Sequence, residues 1–454
     1  MTLSPIHPNY WVTYYRPILR LGIPIAIGQI GVIIMGFADT MMVGQFSTQA
    51  LAAASFANAV FNLITYMLMG YSYGITPIIS SLVGRHQHIE AGATIKYGIA
   101  CNLIFALVLL MVLLIGYFMI PHMGQPTEIL PLVRPYYLTL SVSIVFVALF
   151  NALRQFTDGL SDTSIGMYAI LTGNVLNIIG NFLLIYGIGP FPRLGLLGAG
   201  LSTMTARIIM TLIMVAVFCF RPRYSIYRQG FKQATWHVTQ LLRINKQSWP
   251  IALQMGMESG AFTVSGIMAG WLGAVDLATY QVMITIGGLG FLLYYSFGSG
   301  ITIRVAHFYG QSDWLSVRRT ARAGTYILLG MAFLSSFIFL FAGEYIIRAF
   351  TSDPLVQAMA LTLILPLILY QLGDSMQICF ANALRGTSHV MSMMWIAFFS
   401  YIVVNIPAGY LFAFPLHLGI VGLYLAFSLG LIVAAGLFCW QFYSVMKRTE
   451  QPLN

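Results

Sequence analysis

The sequence predicts an all-α integral membrane protein: twelve transmembrane helices in two six-helix bundles, related by a pseudo-two-fold axis along the membrane normal. Three observations carry that prediction. First, 59% of the 454 residues are hydrophobic and only 7% charged, with a mean hydropathy of +0.83; a soluble chain carries roughly 25% charged residues. Second, apolar runs of the length a helix needs to cross a bilayer recur from end to end. Third, the second half of the chain repeats the first at a fixed offset.

The apolar runs fall at residues 16–40, 50–80, 92–118, 131–153, 163–188, 195–220, 241–271, 277–307, 319–342, 354–382, 389–414 and 418–446. Arg16 and Arg20 stand at the start of the first run, and no small-residue cleavage site follows a short apolar core, so the first helix reads as a retained signal-anchor. With twelve spans, eighteen Arg and Lys fall on one side, against Arg134, Arg193 and Arg348 on the other, while Arg207 lies within the sixth run. The positive-inside rule then places both termini in the cytoplasm, and an odd count would scramble the bias. The same rule accounts for the net charge of +10, which therefore gives no reason to expect nucleic acid. Arg221 to Gln247 is the longest polar connection, rich in basic residues and without an acid, and suited to anionic lipid. The expected division is an N-lobe at 1–220, a basic cytoplasmic linker at 221–240 and a C-lobe at 241–454. Cys101, Cys219, Cys379 and Cys439 stand singly in apolar segments, with no metal-ligand spacing.

The repeat is explicit at an offset of 226. Pro24-Ile25-Ala26 meets Pro250-Ile251-Ala252, and Gly74-Ile75-Thr76 meets Gly300-Ile301-Thr302. Gly84, Thr94 and Gly98 meet Gly310, Thr320 and Gly324. After small shifts, Asn151-Ala152-Leu153-Arg154 is expected opposite Asn382-Ala383-Leu384-Arg385, and Asn177-Ile178 opposite Asn405-Ile406. Six spans per repeat is an even number, so both halves have the same orientation. A cavity at such a repeat interface is the usual substrate site of secondary transporters.

Of twelve acids, nine fit loops, helix ends or tails; Asp39, Glu258 and Asp374 lie inside apolar runs. An intramembrane charge costs roughly 2.5–3.5 kcal/mol on insertion scales, so such groups normally face a wet cavity or a partner. Lys96 and Lys246 stand near run ends, no Lys lies mid-span and Arg207 is the only mid-span Arg, so base pairing can neutralise at most one of the three. Counting ~1.5 Å per residue, Glu258 and Asp374 meet near the midplane. By the same count Asp39 sits higher, level with Asn177 and Asn181, which share one helical face. The acids also break the repeat: Asp39 falls opposite Ser265, and Glu258 opposite Val32. The halves share a scaffold and hold different sites.

Glu258 and Asp374, with Tyr370 one turn before Asp374, offer the oxygen ligands a hard cation such as Na⁺ takes. Two close carboxylates in a low dielectric hold either a proton or a cation. Competition between that ion and a cationic substrate is a mechanism for antiport. Pro24, on the span that carries Asp39, can bend its helix. None of the four lysines follows a Gly, so there is no Walker A lysine, and HExxH is absent. An enzyme is not expected.

The whole chain resembles the multidrug and toxic compound extrusion (MATE) transporters, most closely the NorM-type bacterial branch. The marks are Pro24 with "FADTMMVG", "GMESGAF" around Glu258, "YQLGDSMQ" with Tyr370 and Asp374, Asn151 in "NALR", and "LNIIGN" with Asn177 and Asn181. The resemblance implies a bacterial inner-membrane antiporter that expels lipophilic organic cations and drugs, driven by Na⁺ or alternatively H⁺, with no cofactor and no obligatory protein partner. It assigns Glu258, Asp374 and Tyr370 to a C-lobe cation site. It assigns Asp39, Asn177, Asn181, Asn151 and Thr203 to an N-lobe proton or substrate site. Some branches carry a second acid where this chain has Asn181. The alternative is a lipid-linked oligosaccharide flippase of the same superfamily.

Overall fold

The computed structural model describes residues 10–122 and 126–450. Its principal elements are α1 (Trp11–Phe46), α2 (Thr48–Gly84), α3 (His88–His122), α4 (Leu130–Gly159), α5 (Thr163–Tyr186), α6 (Leu196–Phe220), α7 (Ser225–Gln233) and α8 (Val238–Leu272). They continue as α9 (Ala274–Gly310), α10 (Trp314–Phe350), α11 (Pro354–Thr362), α12 (Ile364–Gly386), α13 (Val390–Ala413) and α14 (Gly419–Glu450). No strand occurs among the described residues, and the four cysteines are free. Eleven of the helices are long and apolar enough to cross a membrane. The twelfth expected span, α8, has the length, at 35 residues, but carries Arg243, Lys246, Gln254 and Glu258, which lower its apolar character. The expected run 354–382 is broken at Leu363. Pro366 supplies the reason, because it has no N–H to give to the Thr362 carbonyl.

Turns are written in local chemistry. Asp353 Oδ1 accepts from the Leu355 N–H at 2.9 Å, with Pro354 as the first helical residue of α11. Asp313 Oδ1 accepts from the Ser316 N–H at 3.0 Å and starts α10. Gly187 ends α5 at φ +72°, a left-handed turn that suits glycine.

The chain forms two compact units. One comprises Ile27–Gly256; the other joins the described residues up to Ala26 with those from Met257 on. Neither of these divisions falls in the segment 221–240. Close packing shows why. In the second unit a Cβ at Gly22 would sit 2.4 Å from Phe297, Gly300 lies against the Ile18 carbonyl, and the Tyr14 and Ser316 hydroxyls share a 3.1 Å hydrogen bond. In the first, Gly70 lies against Ala252, Gly74 against Ser248, and the Tyr71 hydroxyl donates to Asn245 Oδ1 at 2.9 Å. The first half of each repeat's first helix thus packs with the other repeat, an exchange no count of apolar runs reveals. Pro24 lies two residues before the handover in α1, and Pro250 six before that in α8.

The structure also corrects the repeat register. Thr76 Oγ1 donates to Gln155, at 3.0 Å to its carbonyl and 2.7 Å to Oε1. The equivalent Thr302 Oγ1 donates to Asn382, at 2.9 Å to both its carbonyl and Oδ1. Gly159 and Gly386 close their helices against the Thr76 and Thr302 carbonyls, and Ser161 and Ser388 follow at φ +61° and +62°. The partner of Asn382 is therefore Gln155, not Asn151, and Arg385 corresponds to Asp158. The shared "NALR" misleads because it is displaced by one helical turn, which keeps it on the same face. At the Gln155–Asn382 offset Asn177 falls opposite Val404, one residue short of the expected Asn405. A π-helical stretch, Phe398–Asn405, lies inside α13 and supplies the extra residue.

The expected linker is a docked element rather than a loose arm. Gly92 of α3 lies against the Tyr227 carbonyl of α7, and Gly230 of α7 against the Ile89 carbonyl of α3. Asp162 Oδ2 accepts from Arg221 at 3.3 Å, Arg223 at 3.2 Å and the Tyr224 hydroxyl at 3.0 Å. Burial and the Asp162 carboxylate push the Tyr224 phenol far above the ordinary tyrosine range, so it stays neutral. Arg228 donates to the Phe218 and Arg221 carbonyls that end α6.

Candidate functional site

Two polar clusters occupy the apolar interior, one in each unit. In the unit that includes Met257 onward, α12 presents Tyr370, Asp374 and Gln377 at positions i, i+4 and i+7, hence on one face. Asp374 and Tyr370 are buried, at 1% and 5% exposure, and Glu258 on α8 is half-buried. Gln377 Nε2 donates to Glu258 Oε1 at 3.4 Å. Asp374 lies within electrostatic reach of Glu258, and Tyr370 within reach of both. Asp374 Oδ2 and Gln377 Oε1 are buried without hydrogen-bond partners, and no Lys or Arg among the described residues comes within ion-pair distance of Asp374. Tyr401, on the π stretch of α13, also reaches both acids electrostatically. Asn405 closes that stretch, buried with both amide atoms unpartnered. Hard oxygen donors around two carboxylates suit a monovalent cation or a shared proton.

In Ile27–Gly256 the polar residues form a chain. Asn181 Nδ2 donates to Asp39 Oδ1, and its contact to Asn177 Oδ1 is 3.4 Å. Asn177 Nδ2 donates to Thr203 Oγ1 at 3.2 Å, and Ser202 Oγ donates to the Asn177 carbonyl at 2.8 Å. Thr203 and Asn151 line a cavity of about 160 Å³ in the same unit. Arg207 is within electrostatic reach of Asp39 without forming an ion pair; its Nη1 donates to Ser143 Oγ and its guanidinium lies 4.8 Å from the centre of the Phe61 ring. Asp39 is therefore tolerated chiefly because an amide binds one of its oxygens, Arg207 standing too far off for an ion pair.

Sequence reasoning missed several members. Gln377, three residues after Asp374, and Asn174, which begins an Asn174-Asn177-Asn181 stripe, were legible as helical spacing. Tyr401, buried on the π stretch, carried no signal. Asp158, expected at a helix end, is there, but buried at 4% exposure beside Arg154, 3.8 Å away.

A chain of two structurally equivalent halves with unlike intramembrane polar clusters defines a membrane transporter of the two-repeat kind. The MatE family model matches residues 24–183 and 250–411, starting at Pro24 and again at Pro250. The chain belongs to this family, the multidrug and toxic compound extrusion transporters. It is 28% identical over 450 residues to a protein named "Probable multidrug resistance protein NorM" from Rhizobium meliloti, covering 97% of this chain and 96% of that one. It is 27% identical over 429 residues to a protein of the same name from Photorhabdus laumondii, covering 92% and 93%. The solved structure "Crystal structure of MATE in the bent conformation" matches with a TM-score of 0.88 at 19% identity, covering 96% of this chain and 97% of that one, and shows the same fold.

Proposed function

We propose that this protein is a multidrug efflux antiporter of the inner membrane, exporting lipophilic organic cations in exchange for Na⁺ by alternating access. The observation that carries the reading is the Glu258–Asp374 pair: two carboxylates in mutual electrostatic reach within an apolar interior, with buried oxygens of Asp374 and Gln377 left unpartnered. Such a set is at rest only when a cation or proton occupies it. An incoming cationic substrate competes for that negative charge, and the competition couples the two fluxes. The NorM names of the similar proteins support the drug-export part of the reading. Pro24 and Pro250, close before the handovers in α1 and α8, give those helices a place to bend.

A second reading, H⁺ as coupling ion through Asp39, is favoured by the amide chain Asn181–Asn177–Thr203 that holds that acid. A lipid-linked oligosaccharide flippase would need several uncompensated bases for a pyrophosphate, and Arg154 is already beside Asp158.

The deciding experiment is ethidium export from proteoliposomes under imposed Na⁺ or pH gradients. Glu258→Gln and Asp374→Asn are expected to abolish the response to Na⁺. Loss of Na⁺ dependence in Asp39→Asn alone overturns the ion assignment, and a flux by the wild type that ignores both gradients overturns the antiporter.

A further inference from the structure

The cavity within Ile27–Gly256 has the opposite polarity from the one a cation exporter leads one to expect. Its polar lining includes Gln29, Thr65, Asn174, Thr203, Arg154 and Arg207, and no carboxylate is among its lining residues. Arg154 has a counter-charge, Asp158 at 3.8 Å. Arg207 has none at ion-pair distance; Asp39 is only within electrostatic reach, and Asp39 Oδ1 is taken by Asn181. Asn174 is buried at 7% exposure, and its Nδ2, a donor, has no hydrogen-bond partner. A buried donor left unmade is costly, and so is an unpaired guanidinium inside a membrane.

We infer that this cavity is a carboxylate subsite, which takes the acidic end of an amphiphilic substrate on Arg207 and Asn174. The inference rests on the exporter reading and names the part of the substrate this cavity holds. A guanidinium binds a carboxylate through paired N–H donors in one plane, and a side-chain amide adds a third. The cavity, at about 160 Å³, admits a carboxylated ring but is smaller than the roughly 300–1,000 Å³ of a pocket for a whole drug-sized molecule. One uncompensated Arg matches the single charge of a carboxylate rather than the multiple charge of a diphosphate. Drugs that carry both an amine and an acid are then better ligands than pure cations of the same shape.

The test uses full-length protein and a matched pair of probes: ciprofloxacin, which carries the acid, and its methyl ester, which lacks it. Binding to purified protein is measured by equilibrium titration for the wild type, Arg207→Gln, Asn174→Leu and Arg207→Lys. The wild type is expected to bind the acid at least ten-fold tighter than the ester. Arg207→Gln and Asn174→Leu are expected to shrink that ratio towards one, while Arg207→Lys keeps part of it. A folding defect weakens acid and ester together and leaves the ratio unmoved. Equal affinities in the wild type, or an unchanged ratio in both Arg207→Gln and Asn174→Leu, overturn the inference. Displacement of the acid by farnesyl diphosphate at lower concentration than by unlabelled acid also overturns it, in favour of a diphosphate ligand. Ethidium export by the wild type is scored separately, so failure of the exporter reading is distinguishable from failure of the subsite.

Discussion

Replacing Gly230 or Gly92 by Ala should undock the cytoplasmic helix α7, and the size of the effect follows from the packing. A Cβ at Gly230 would lie 1.9 Å from the Ile89 carbonyl oxygen, and one at Gly92 would lie 2.1 Å from the Tyr227 carbonyl oxygen. Ordinary contact begins near 3.4 Å, so α3 and α7 must part by about 1.5 Å in one variant and about 1.3 Å in the other, because backbone atoms at a close-packed contact cannot swing aside. Parting strains the bonds that cross the same seam: His88 Nδ1 with the Tyr227 hydroxyl at 3.1 Å, and Lys96 Nζ to the Ala234 carbonyl at 2.7 Å. Overpacking of this kind costs about 1–3 kcal/mol per site. The two substitutions widen the same gap, so the double variant should cost clearly less than the sum of the singles. Thermal unfolding in detergent reads the stability, and limited trypsin digestion at Arg228 and Lys232 reads the undocking. Melting midpoints equal to the wild type together with an unchanged digestion rate would refute the reasoning, and strict additivity would refute the shared gap.

Three more outcomes are expected. Asp158→Leu removes the partner of the buried Arg154, 3.8 Å away, and should destabilise the protein by about 3–5 kcal/mol; a loss below about 1 kcal/mol in denaturant titration would mean the pair is not a buried ion pair. His389, in the turn before α13, has its imidazole pushed down by burial, partly offset by the Thr387 carbonyl at 2.9 Å. The unfolded chain therefore binds more protons there, so stability should fall as pH drops through about 6.5, the ordinary histidine value; His389→Gln should flatten that part of the profile, and an identical slope would count against it. Tyr401→Phe should weaken Na⁺ binding, read by ²³Na NMR titration, with a smaller change in melting midpoint, because its hydroxyl lies within reach of both acids. Unchanged affinity would remove Tyr401 from the site.

The sequence by itself determined the fold class, because a bilayer admits few solutions: apolar runs of spanning length must be helices, and the basic residues between them are one-sided. It also singled out Asp39, Glu258 and Asp374 as acids that are costly in a span. Asn174 and Gln377 were legible as helical spacing but were not predicted. What only the tertiary structure decided is what depends on partners far apart in sequence. The exchange of α1 and α8 segments between units rests on close contacts such as Gly22 with Phe297 and Gly74 with Ser248, and one glycine among 43 carries no sign of what lies against it. The true repeat register needed the Thr76–Gln155 and Thr302–Asn382 hydrogen bonds, because a one-turn slip leaves a helix face, and so its residue pattern, unchanged. The polarity of the N-lobe cavity likewise emerged only when Arg207 was seen beside Asn174 rather than paired with Asp39: composition counts charges, but distance decides which of them remain available to a ligand.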